Sequence, residues 1–282
     1  MQIHAGYEIS YTCPKPTPMI LTLSVHPSRI NDLVNPDRVL FDPPIAANTY
    51  HDSFGNFCHV IEAPSGRLTM HTDFMIRDSG LPDEMAPGAV QHALGDLPVE
   101  VLIFLLGSRY CETDRLSNVA WSLFGHTPKG WPLVHAICNF VHHHIAFDYA
   151  HASPLKTAFD AYTQRQGVCR DFAHLAITLC RCMNIPARYC TGYLGDIGVP
   201  LDPAPMDFSA WFEVYLGGRW YTFDARHNTP RIGRILMARG RDATDVAMVT
   251  TFGPSTLDAF KVVTVEVPEG LGPSHSQVRS PI

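Results

Sequence analysis

The sequence contains no run of 18 apolar residues, no cluster of basic residues, no internal repeat and no low-complexity tract. Without such an apolar run, no membrane span is expected. The 21 basic residues are outnumbered by 27 acidic ones, giving a formal charge of −6. Arg231, Arg234, Arg239 and Arg241 are spread among glycines and acids, so there is no electrostatic case for nucleic acid. The opening "MQIHAGYEIS" has neither a charged n-region nor an apolar h-region, and no secretory signal is expected from it. Eight cysteines without such a signal read as reduced thiols of a cytoplasmic protein rather than as a disulfide framework. No C-x-x-C or H-E-x-x-H spacing occurs, so no metal site is expected.

What is present is enough apolar sequence for a sizeable core: 46% of 282 residues, which suits one or two domains. Residues 1–95 read as β-rich, with "GYEISYTC", "MILTLSVHP", "NFCHVIEA" and "RLTMHTDFMI" as short runs between turn formers, a pattern that suggests a small sandwich. The irregular, proline-bearing "IRDSGLPDEMAPGAVQHALGDLP" marks the expected boundary. From residue 96 to 267 the period changes. "PVEVLIFLLGS", "TDRLSNVAWSLFG" and "GWPLVHAICNFVHHHIAF" read as helices. Strands are expected near 187–194, 210–216 and 219–225, with a late one in "FKVVTVEV". Helices followed by an antiparallel sheet predict an α+β fold for this half. Residues 268–282 read as a flexible tail.

The stretch "QRQGVCRDFAHLAITLCRCMNIPARYC" places four cysteines and a histidine together. With Gly167 turning the chain, a helix opens near Cys169. Cys169 and Cys180 then lie roughly 16 Å apart along its axis, too far to share a metal. The histidines of His142-His143-His144 diverge by about 100° each, which suits a solvated helix end better than a ligand set. Cys138, Cys180 and Cys190 need no role beyond that of small hydrophobes. Cys169 differs by position. In the first helical turn it meets unpaired N–H groups and the positive end of the helix dipole, which favour a thiolate and can hold an oxyanion.

In "MDFSAWFEVYLGGRWYTFDARHN", Gly217-Gly218 between alternating strands predicts a two-residue hairpin. Its register pairs Leu216 with Arg219. Counting outward puts Ser209, Trp211 and Glu213 on one face with Trp220, Thr222 and Asp224. Taken together, "GVCRDFAHL", "AW-EVYL" and "W-TFD" resemble the transglutaminase-like family of papain-type cysteine enzymes, and the β-rich front resembles the region that accompanies this core in bacterial members. The resemblance implies a papain-like core of helices packed on an antiparallel sheet, with Cys169 as nucleophile and Asp224 as the orienting acid. The family's histidine falls on Ser209.

Serine has no useful pKa near neutrality and cannot relay the thiol proton. Three readings stay open. Another histidine substitutes, the nearest in sequence to the site being His227; or the core is impaired and binds peptides or proteins without turnover; or Ser209 is an accidental or engineered change. His174, about 140° around the helix from Cys169, points away. Trp211 either walls the substrate cleft or packs the sheet face. The leading expectation is thioester formation at Cys169 on a peptide or protein substrate, followed by hydrolysis. The resemblance implies no obligatory cofactor, and calcium, used by some family members, has no Asp-rich loop here.

Overall fold

A computed structural model describes residues 1–268. The tail expected from residue 268 onward therefore falls, apart from its first residue, outside the described residues. In chain order the strands and helices are β1 (Gln2–Cys13), β2 (Thr17–Leu21), β3 (Leu40–Asp42), β4 (Ala47–His51), β5 (Phe57–Ala63), β6 (Gly66–Arg77), α1 (Thr113–Phe124) and α2 (Trp131–His144). They continue with β7 (Ala146–Phe147), α3 (Ala158–Gln164), β8 (Gln166–Gly167), α4 (Cys169–Cys182), β9 (Ala187–Tyr193), β10 (Ser209–Leu216) and β11 (Arg219–Phe223). The last three are β12 (Ile235–Gly240), β13 (Val249–Thr251) and β14 (Thr256–Val267).

The front of the chain forms two four-stranded antiparallel sheets, ordered β14-β1-β6-β3 and β13-β2-β5-β4. Alternation along β1 and β6 sends Ile3, Ala5, Ile9, Leu68, Met70, Phe74 and Ile76 inward, where they meet Met19 and Leu21 of β2. The fold is α+β, with a strand-rich sandwich ahead of helices packed on a third sheet, β11-β10-β9-β12. Every residue of β9 is buried, because α4 covers one face of this sheet and residues of the sandwich side approach the other. Tyr193, Phe208, Ile235 and Met237 join the sandwich core, so the two halves share apolar packing.

The late strand lies elsewhere than the sequence suggests. β14 pairs along the whole of β1, from Gln2↔Val267 to Thr12↔Thr256, and so completes the front sandwich rather than the core sheet. Periodicity along one strand specifies a buried face but not the partner that covers it. The helix expected in "PVEVLIFLLGS" is a 3₁₀ segment, Val99–Leu105, after Pro98. It buries only Val101 and Phe104, three residues apart, the spacing that eclipses side chains in a 3₁₀ turn.

Two local devices place the site. Gly217 and Gly218 have φ of 57° and 86°, as a type I′ turn requires, and the strands pair in the expected register from Leu216↔Arg219 to Phe212↔Phe223. At the start of α4, the Asp171 carboxylate accepts the Val168 N–H at 2.9 Å and caps the helix that carries Cys169. A Cβ on Gly167 would stand 2.4 Å from Oδ2 of that carboxylate. Gly167→Ala should therefore destabilise the chain by about 1–3 kcal/mol, the cost of overpacking a buried position. Urea unfolding of this variant against wild type checks it, and an unchanged midpoint would remove Gly167 from the account.

Candidate active site

Asp224 follows β11 and is almost fully buried, with four donors on its carboxylate. Oδ1 accepts the backbone N–H of Arg226 at 3.0 Å and of His227 at 3.1 Å. Oδ2 accepts Nδ1–H of His227 at 2.8 Å and Nη2–H of Arg234 at 3.0 Å. Burial alone raises a carboxyl pKa, but here the Arg234 charge and the His227 hydrogen bonds outweigh it and hold Asp224 well below the usual carboxylate range. An ionised Asp224 accepts only, so the shared proton sits on Nδ1 of His227. The neutral ring then leaves Nε2 as its basic nitrogen.

The sequence left His227 on an uncertain loop, and the structure supplies the reason it faces its acid. The strand ends at Phe223, and residues 224–228 turn, with Asn228 N–H donating to Asp224 O at 2.8 Å. His142 Nδ1–H donates to the carbonyls of Ala225 (3.2 Å) and Arg226 (2.9 Å). Asn228 Nδ2–H donates to Asn139 Oδ1 at 2.7 Å. The turn is thus pinned to one end of α2. Of the histidine run, His143 is exposed, as a solvated helix end implies, whereas His142 is half-buried on this turn and His144 bonds Tyr162 O while its ring stacks on Phe140.

Ser209 opens β10, is buried, and lines a cleft of about 540 Å³ together with His227, Arg226, Asp207 and Tyr149. Cys169 is half-buried at the N-terminus of α4. Burial pushes its thiol up to about 11; the Arg226 charge and the Ala210 N–H oppose that shift, while Asp207 and Asp224 add to it. The helix terminus was expected to favour a thiolate, whereas desolvation is the larger effect and keeps the proton on sulfur. Two of the charges that act on this thiol, Arg226 and Asp207, line the cleft that holds Ser209 and His227.

Trp211 is buried on the other side, under the Arg234 guanidinium at 5.0 Å, and lines a different cleft. His174 points away, as its position in the helix implies. Nε2 accepts the Ala243 N–H at 3.1 Å, the ring stacks on Tyr110, and burial lowers its pKa to about 3. Sequence reasoning missed Arg234, His142 and Asn139, which hold Asp224 and its turn. The sequence offered His142 only as part of a solvated histidine run and Arg234 only as one of several dispersed arginines, and nothing pointed to Asn139.

The depressed Asp224 pKa fixes a pH dependence. Above about pH 4, the unfolded value, the carboxylate contributes its full stabilisation; below that the unfolded chain takes up a proton that the folded chain refuses. Asp224→Asn should cost about 3–5 kcal/mol at neutral pH, as for one partner of a buried ion pair. The difference from wild type should shrink as the pH falls below about 4. Urea unfolding of both proteins at pH 7 and pH 3 measures it, and a pH-independent gap would contradict the ion pair.

Residues 123–225 match the family model described as the transglutaminase-like superfamily, a span that includes Cys169, Ser209 and Asp224. A solved structure of a candidate cysteine protease from Cytophaga hutchinsonii superimposes with a TM-score of 0.80 at 29% identity, covering 98% of this chain and 94% of that one. An uncharacterized protein of Mycobacterium leprae is 36% identical over 97 residues, which is 32% of this chain and 33% of that protein's length. An uncharacterized protein of Mycobacterium bovis is 27% identical over 248 residues, covering 74% of this chain and 73% of its own. Residues 123–225 thus carry a transglutaminase-like core, and the whole chain shares its fold with the candidate cysteine protease.

Proposed function

We propose that this protein is a cysteine-dependent acyl-transfer enzyme that hydrolyses an amide or peptide bond, with His227 as base in place of the missing histidine at 209. The observation that carries the reading is the 2.8 Å hydrogen bond from His227 Nδ1–H to the buried Asp224 carboxylate, in a cleft shared with Ser209. A base oriented by a carboxylate near a thiol is the arrangement that activates a cysteine nucleophile.

Because the resting sulfur is protonated, His227 Nε2 takes the thiol proton as sulfur attacks the carbonyl carbon. The tetrahedral oxyanion forms near the α4 N-terminus and Arg226, which supply N–H groups and positive charge. Collapse breaks the C–N bond, His227 returns the proton to the departing amine, and a thioester remains on Cys169. Water, deprotonated by His227, then releases the acid and regenerates the thiol. Water needs no second site, which favours hydrolysis over transfer to an amine.

A peptide or protein is the substrate class this chemistry implies. No described helix is long and apolar enough to cross a membrane. Eight unpaired cysteines suit a reducing, cytoplasmic setting. The competing reading, a peptide-binding module without turnover, rested on the lack of a base and loses ground with His227 beside Asp224.

The test is turnover of a library of N-blocked dipeptide amides, followed by ammonia release. Cys169→Ala should abolish turnover, and His227→Ala should lower kcat/KM by about 10²–10⁴-fold, the range for a general acid–base. Turnover that survives Cys169→Ala, or an unaffected His227→Ala, would contradict the assignment.

A further inference from the structure

The cleft that Trp211 lines adjoins the one that holds Ser209 and His227, Arg231 lining both, but opens elsewhere. It holds about 760 Å³ of open space between the Ser28–Arg29 turn, the 78–83 connection and the face of the third sheet opposite α4. Four arginines line it: Arg29, Arg231, Arg234 and Arg239. The acids on its wall are already engaged. Asp78 faces Arg29 at 3.4 Å, Asp83 accepts Arg234 Nε–H at 2.9 and 3.0 Å, and Glu213 accepts Arg188 Nε–H at 2.6 Å.

Arg29 is spent on Asp32, Asp78 and the carbonyls of Arg77 and Arg234, but the other three arginines are not used up in return. Arg239 hydrogen-bonds Asn56 only through its backbone, the N–H donating to Oδ1 and the carbonyl accepting from Nδ2. Arg234 spends Nε on Asp83 and Nη2 on Asp224, but its Nη1 is buried with no acceptor among the described residues. Arg231 donates from Nη2 to Gly195 O and faces Asp196 Oδ1 at 3.6 Å, while its Nε is likewise buried with no acceptor among the described residues. Both side chains are more than nine-tenths buried, at 7% and 5% exposed. Buried N–H groups of a charged side chain ordinarily find an acceptor, and each that does not calls for one. Burial and like charge also lower the pKa of Arg231 and Arg239, a repulsion that a negative ligand relieves.

We propose that this arginine-lined cleft binds a small oxyanion, a carboxylate or a phosphate, held by Arg239 together with the free N–H groups of Arg231 and Arg234. Guanidinium forks match both chemistries. The site is independent of the catalytic assignment, although Arg234 connects it to Asp224 and so to His227.

Isothermal titration of the full chain with inorganic phosphate, and separately with acetate, in low-chloride buffer tests it. Saturable one-to-one binding is expected, weakened at least about tenfold by Arg239→Gln, the loss of one charge-assisted pair. Tighter binding of acetate than of phosphate assigns a carboxylate ligand, and the reverse order assigns a phosphate. Arg226→Gln, which alters the cleft beside Cys169, should leave the affinity unchanged. Absence of saturable binding, equal affinity in Arg239→Gln, or loss of binding in Arg226→Gln would each overturn the proposal.

Discussion

The Asp224 carboxylate is the point on which the site depends. A buried charge survives only when neighbouring donors and countercharges replace water, and Asp224 has four donors on two oxygens. Arg234 supplies the countercharge, and its other nitrogen grips Asp83 from the connection between the two halves. Arg29, from the turn after β2, donates to the Arg234 carbonyl at 2.8 Å. A continuous polar chain therefore runs from the front sandwich through Arg29 and Arg234 to Asp224 and His227. The sandwich is part of what holds the histidine, rather than an appendage to the core.

That dependence explains why the chain returns to its beginning. After β12 the backbone leaves the core sheet and adds β13 and β14 to the two front sheets. Tyr193, Ile235 and Met237 meanwhile pack into the sandwich core. The strand that carries Arg234's neighbours is thus clamped on both sides. A guanidinium fixed in this way needs less ordering when it holds Asp224 than one on a free loop would.

Much of this was legible in the sequence because it is local. The Gly217-Gly218 turn fixed the hairpin register through backbone conformations that few other residues allow, and Gly167 before Cys169 marked the start of α4, where a side chain would collide with the Asp171 carboxylate. The family resemblance through "GVCRDFAHL" and "W-TFD" located Cys169 and Asp224. The partners of Asp224 were not legible, because Arg234, His142 and Asn139 reach it from elements that sequence alone does not bring together. The fate of the late strand was hidden for the same reason: an alternating pattern does not name its neighbour. The thiol of Cys169 was misjudged because desolvation depends on what packs around it in the fold, and the Asp207 charge that adds to the shift comes from a distant loop. His227 lay between these cases. The turn formers after Asp224 were visible, but the hydrogen bond that turns the histidine toward Asp224 is a tertiary fact.

The central claim is that His227 performs the proton transfer that residue 209 cannot. Chemical rescue tests it most directly. Acylation of Cys169 by p-nitrophenyl acetate would be followed by nitrophenolate release, with the acyl group mapped to Cys169 by peptide mass, in His227→Ala with and without added imidazole. The account predicts slow acylation in the variant and recovery as imidazole fills the space beside Asp224. Acylation as fast as wild type without imidazole would show that His227 is not the base.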